Sequence, residues 1–189
     1  MENKTEKKDI EREKFILDAC CGGKMFWFDK NQKNTIFMDI RKEEKGHSDF
    51  RPNHEVTPDI IADFKNIPYK DNSFKLVVFD PPQMFLGEKA EFTKRYGRLK
   101  RDTWKDEIKR GFDECWRVLE DYGVLIFKWN EFDIKKTEVL EVIKREPLFG
   151  HITNRATKNT HWFCFMKFPE LNLKESPSIP PNPKGIGYP

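Results

Sequence analysis

Four short apolar runs in the first half of the chain each stop at an aspartate. Phe15-Ile16-Leu17 stops at Asp18, Thr35 to Met38 at Asp39, Pro58 to Ala62 at Asp63, and Phe74-Lys75-Leu76-Val77-Val78-Phe79 at Asp80. Runs this short, rich in β-branched and aromatic residues, predict strands buried in a parallel sheet. A helix is predicted between the first two, over Lys24 to Lys30, whereas Arg41 to Thr57 is polar and predicted to be irregular. In the second half the period changes. From Thr103, a candidate cap, the apolar positions Trp104, Ile108, Phe112, Cys115, Trp116 and Leu119 fall at helical spacing. Gly123 then opens a fifth strand, Val124 to Lys128, followed by a helix over Asp133 to Arg145. Pro147 to Ile152 and His161 to Lys167 are predicted to pair as an antiparallel hairpin across the polar connection Thr153 to Thr160. Strands alternating with helices give an α/β fold: a doubly wound sheet of about seven strands, mostly parallel with an antiparallel edge hairpin, and helices on both faces.

The ends have a different character. Met1 to Lys14 is almost wholly charged and residues 169–189 are rich in proline, so the predicted domain is 15–168, between a charged lead-in and an extended tail. The 189 residues suffice for one domain with its own core. A charged fraction of 35% is high, but 14% aromatic residues, with seventeen Phe, exclude a disordered chain. No apolar run is long enough to span a bilayer and no signal-peptide pattern is present, so a cytoplasmic location without a membrane partner is expected. The four cysteines show no Cys-x-x-Cys or Cys/His ligand spacing, so neither a metal site nor a structural disulfide is expected. A net charge of +3 points mildly to a polyanionic partner, and the sequence is silent on oligomeric state.

The chemistry gathers at Asp80-Pro81-Pro82-Gln83. Neither proline can donate to a sheet ladder, and the residue before each is pushed away from helix, so the backbone must leave the sheet in an extended turn. That turn sets the Asp80 carboxylate and free carbonyl oxygens at the carboxyl end of a strand, where open α/β sheets bind ligands. Acceptors gathered there suit a substrate that presents hydrogen-bond donors, such as an amino group. Met84 to Asp102 follows, carrying Lys89, Lys94, Arg95, Arg98, Lys100 and Arg101 interleaved with Phe92 and Tyr96. It reads as an active-site loop or lid, with the interleaving of a flipped-base or single-strand nucleic-acid site. Lys128 and Trp129 fall at the end of the fifth strand, on the same side of the sheet.

The pattern resembles the class I, Rossmann-like methyltransferases that use S-adenosylmethionine, over about Phe15 to Lys167. Ile16-Leu17-Asp18-Ala19-Cys20-Cys21-Gly22-Gly23 looks like their glycine-rich cofactor loop, and Asp80-Pro81-Pro82-Gln83 like the catalytic tetrapeptide of members that methylate exocyclic amino groups. The resemblance implies cofactor contacts from Asp18, Ala19, Cys20, Gly22, Gly23 and Asp80. It also implies a ribose acceptor at Asp39 beside Ile40, and an adenine contact at Asp63 beside Phe64. Catalysis would rest on Asp80, Pro81, Pro82 and Gln83, and the substrate would meet Phe85, Tyr96, Arg98, Lys128 and Trp129. The target that the resemblance implies, an amino nitrogen of a DNA or RNA base, makes nucleic acid the expected partner.

Two departures from the family pattern are visible. The loop carries Cys20-Cys21 where alternating glycines are usual, and Gln83 stands where adenine-specific members place a stacking Tyr or Phe. The stack would then come from Phe85, Trp129 or Tyr96. Otherwise the acceptor is a small molecule or protein side chain, or the fold senses the cofactor without chemistry. Cytosine C5 chemistry, which needs a thiolate, is disfavoured because neither Cys115 nor Cys164 follows an active-site proline.

Overall fold

The apolar runs become one seven-stranded sheet with strand order β3-β2-β1-β4-β5-β7-β6. The computed structural model describes residues 13–152 and 159–169, so the proline-rich tail, most of the lead-in and most of the 153–160 connection lie outside the described residues. In chain order the elements are β1 (Ile16–Asp18), β2 (Thr35–Asp39), β3 (Ile60–Ile61), β4 (Phe74–Phe79), α1 (Glu91–Tyr96), α2 (Trp104–Val118), β5 (Leu119–Asn130), α3 (Lys136–Ile143), β6 (Phe149–Ile152) and β7 (Thr160–Met166). Strands β1 to β5 pair in parallel, while β7 runs antiparallel to both β5 and β6. The sheet is therefore Rossmann-like, mostly parallel with an antiparallel edge. Because β1 lies between β2 and β4, the strand order reverses there and opens a crevice beyond the carboxyl ends.

Register decides which side chains form the core. Leu17, Val77, Leu125 and Phe165 lie side by side across four strands on one face. All four are buried, and α2 covers that face with Phe112, whose ring meets Phe127 at 6.1 Å and Phe165 at 5.1 Å. Burying each such ring contributes roughly 2–3 kcal/mol. Helix α3 packs against α2 on the same side. On the opposite face the segment after β1 supplies the cover: Phe26 meets Trp162 edge-on at 5.4 Å, and Trp27 meets Phe37 at 5.2 Å.

Several sequence expectations need correction. Lys24 to Lys30 is a series of turns, so among the described residues the two long helices share one face instead of lying on both. Gly22 and Lys24 sit in the left-handed region, which interrupts helix formation, and the Trp27 indole is drawn down to Asp18. The expected Met84 to Asp102 loop contains the short helix α1, and it folds back so that the Leu99 N–H donates to the Met84 carbonyl. Strand β5 begins at Leu119, not Val124. Phe74 pairs with Leu119 and Leu76 with Val124, a bulge that absorbs the extra residues, and Tyr122 there adopts φ 61°. Thr103 stands at the N-terminus of α2, but its hydroxyl donates to Glu107 and caps no backbone N–H. Among the described residues, no helix is long and apolar enough to cross a membrane.

Candidate functional site

Strands β1 to β4 bring Asp18, Asp39, Asp63 and Asp80 to the same edge of the sheet, and a cavity of about 910 Å³ opens there. It is lined by Ala19, Cys20, Gly22 and Gly23 after β1, by Asp39 and Ile40 after β2, and by Asp63 and Phe64 after β3. Asp80, Pro81, Pro82 and Gln83 line it after β4, with Tyr96 and Arg98 from the lid and Lys128 from β5. Three expected site residues lie elsewhere. Trp129 is fully buried in the core and donates its indole N–H to the Ile134 carbonyl, because alternation along β5 turns it to the helix-covered face. Phe85 packs under the Arg101 guanidinium, and its backbone N–H is taken by Asp133. Asp18 is fully buried and holds the loop itself, accepting from the Cys20 N–H at 3.2 Å and the Trp27 indole at 2.7 Å.

The glycine loop is tied to β2 through Asp39, whose Oδ2 accepts the Gly22 N–H at 2.9 Å. Gly22 adopts φ 47°, and a Cβ added there would meet nothing within 4 Å. The loop therefore presents backbone to the cavity at that point. Gly23 is different: the place of its missing Cβ is filled by the His54 ring, whose Nε2 lies 2.6 Å from that point. Asp39 Oδ1 accepts from both the Arg41 backbone and its Nε, leaving an open lone pair on Oδ2. Asp63 accepts the Lys65 N–H and pairs loosely with its ammonium at 3.5 Å.

Asp80 is more tightly framed. Its Oδ2 accepts from Lys128 Nζ at 2.6 Å and its Oδ1 from Gln83 Nε2 at 2.8 Å. Gln83 also donates to the Lys128 carbonyl and accepts the Asn130 N–H. Burial raises the Asp80 carboxyl above its ordinary range, against the opposing pull of Lys128 and Gln83. Each oxygen keeps a second lone pair for a ligand donor. Sequence reading missed the Lys128–Asp80 ion pair, yet Phe79 pairs with Phe127, so the next residue of each strand had to be neighbours. It also missed Arg41, Asn130 and Phe132, all on the cavity wall.

All four cysteines are free, and burial pushes their thiols upward, which leaves no thiolate for covalent attack. Among the described residues, no group of three or more His, Cys, Asp or Glu could hold a metal ion.

No family model matches the chain, and no curated protein does. Solved structures share its architecture. The PH0226 protein of Pyrococcus horikoshii OT3 superposes over 80% of this chain and 81% of its own, with 16% identity and a TM-score of 0.52. A structure described as a SAM-dependent methyltransferase, from Methanosarcina mazei, covers 85% of this chain and 95% of its own, with 12% identity and a TM-score of 0.50. At these identities the likeness carries the fold, and the chemistry has to come from the site.

Proposed function

We propose that this chain is an S-adenosylmethionine-dependent methyltransferase whose acceptor is an amino nitrogen, on a nucleic-acid base. The observation that carries the reading is the Asp80 carboxylate, held from two sides at the mouth of the Pro81-Pro82 turn, in one cavity with the Gly22 and Asp39 loop. The residues fit the cofactor: Asp39 offers Oδ2 to a ribose hydroxyl, Ile40 and Phe64 offer apolar surface to a flat base, and Gly22 lets a ligand approach the backbone. Bound there, S-adenosylmethionine supplies an electrophilic methyl group. Asp80 and the turn carbonyls accept the N–H groups of the acceptor and leave its lone pair free to face that methyl. The raised carboxyl of Asp80 is also suited to take the proton that the methylated nitrogen sheds.

The likeness to the Methanosarcina mazei SAM-dependent methyltransferase supports methyl transfer in general. The base reading is supported by aromatic rings on the cavity wall, Tyr96 and Phe132 among them, which take the stacking role that Gln83 cannot fill. A second reading, cofactor binding without transfer, is favoured by one observation: both oxygens of Asp80 already have donors.

Radiolabelled methyl transfer to DNA, RNA, protein and metabolite pools separates these readings. In the Asp80→Ala variant transfer is expected to fall by about 10³-fold, with S-adenosylhomocysteine affinity nearly unchanged by calorimetry. Full activity in that variant would sink the assignment, and cofactor binding with no transfer to any pool would favour the second reading.

A further inference from the structure

A second cavity, of about 620 Å³, opens beside the first. Gly23, Met25, Arg95 and Tyr96 line both. Arg95 is only 7% exposed. Its Nε donates to the Glu91 carbonyl at 3.3 Å, and its guanidinium lies 4.6 Å from the Phe92 ring centroid and 5.2 Å from that of Tyr96. No carboxylate among the described residues pairs with it. Glu91, the nearest acid on its own helix, is spent on Lys94, Ser48 and the Phe50 N–H. A guanidinium cannot discharge itself by losing a proton, and burying one without a counter-charge is costly. The position therefore calls for an anion from outside the chain.

The rest of the second cavity has the same sign. Lys24, Lys30 and Arg51 line it against a single acid, Glu55, and none of these three cations is in an ion pair among the described residues. Among the described residues the Lys24 and Lys30 ammoniums donate to loop carbonyls, and the Lys24 ammonium lies 4.1 Å from the Phe37 ring centroid. His54, on the same wall, is held below its ordinary value first by burial and then by the positive charges of His47, Arg41, Arg95 and Lys30. Phe50 and Tyr96 expose ring surface among these cations. Cations interleaved with exposed rings form the kind of surface that follows a nucleic-acid backbone while stacking its bases.

We infer that Arg95 and the second cavity hold a phosphate of the methyl acceptor, on the nucleotide next to the one modified. This rests on the proposed function, since it makes the acceptor a polynucleotide. A guanidinium suits a carboxylate equally, such as that of the cofactor's amino-acid end, and the test separates the two sources.

Binding of a fluorescein-labelled single-stranded oligonucleotide is followed by anisotropy against rising potassium chloride, for the unmodified protein, Arg95→Gln and Arg51→Gln. Arg51 is exposed, so its substitution leaves the fold intact whatever becomes of the Arg95 variant. Each variant is expected to lower the salt slope by about 0.7 and to weaken binding about tenfold at moderate salt. S-adenosylhomocysteine affinity should stay within about twofold. Unchanged slopes in both variants, with the unmodified protein still binding, overturn this inference and leave the methyl-transfer reading standing. Loss of S-adenosylhomocysteine affinity in Arg95→Gln at an unchanged slope overturns it too, and assigns Arg95 to the cofactor carboxylate. If the unmodified protein binds no oligonucleotide, the inference falls together with the nucleic-acid acceptor.

Discussion

The two walls of the main cavity are built by different means. On the side of β1, β2 and β3, no strand exceeds five residues and no helix intervenes among the described residues. Aspartates hold that wall by accepting backbone N–H groups: Asp18 from Cys20, Asp39 from Gly22 and Arg41, Asp59 from Phe37, and Asp63 from Lys65. On the side of β4 and β5, order comes from apolar burial under α2, with Phe79, Phe127, Phe112 and Phe165 linked in a chain of ring contacts. Packed rings have no alternative arrangement of equal density, so they fix Asp80 and Lys128 in place. Polar tethers give way more readily when a ligand offers competing donors. Under the proposed function, the wall assigned to the cofactor is thus the adaptable one, and the wall assigned to the reacting group is the rigid one.

Breaking the packed wall should have the largest effect. Phe112→Ala is expected to lower unfolding free energy by about 4 kcal/mol, read as a fall in urea midpoint at unchanged slope. A loss under about 1 kcal/mol would show that the site collapses freely, and the contrast between the walls would go.

The tethered wall should respond to pH instead. Burial pushes the Asp18 carboxyl up to about 7, partly offset by the Trp27 and Cys20 bonds, while Asp80 and Asp39 push it further. Its ordinary value is 3.8. The folded chain therefore binds more protons than the unfolded chain between those values. Stability from this group is full below the lower value and is lost as pH rises through the upper one. Across that window the unmodified protein should lose on the order of 4 kcal/mol relative to Asp18→Asn. Parallel stability profiles for the two proteins would place the pH dependence elsewhere.

The smallest effect on the fold should accompany a clear effect on ligand. Asp39→Ala is expected to weaken S-adenosylhomocysteine binding about thirtyfold, near 2 kcal/mol, while shifting unfolding free energy by only about 1 kcal/mol. Equal losses in both would mean that Asp39 serves the loop and not the ligand.

The sequence made the strand order's raw material legible, because runs ending at Asp18, Asp39 and Asp80 can bury only as parallel strands and their acids must then share an edge. It did not reveal Lys24 to Lys30 as turns, since Met25, Phe26 and Phe28 can be placed on a helix as easily as not, and Phe28 proves fully exposed. Lys128 was readable as a site residue, but its pairing with Asp80 required the register between two strands. Arg95 could not be told from the five other cations of its segment, because burial depends on where α1 docks. Trp129 was misplaced by one step of strand alternation.

Gln83 has a meaning beyond the frame it gives Asp80. The two prolines before it have no N–H to offer the neighbouring strand, so the ladder between β4 and β5 would end at the turn. The Gln83 side chain donates to the Lys128 carbonyl and accepts from the Asn130 N–H, the same two bonds a peptide unit would make. It is a peptide surrogate, adding a rung to the sheet without adding chain. The position that adenine-specific members of the resembled family give to a stacking ring here serves as masonry, and Asn130 is carried past the end of the backbone ladder to stand at the cavity wall.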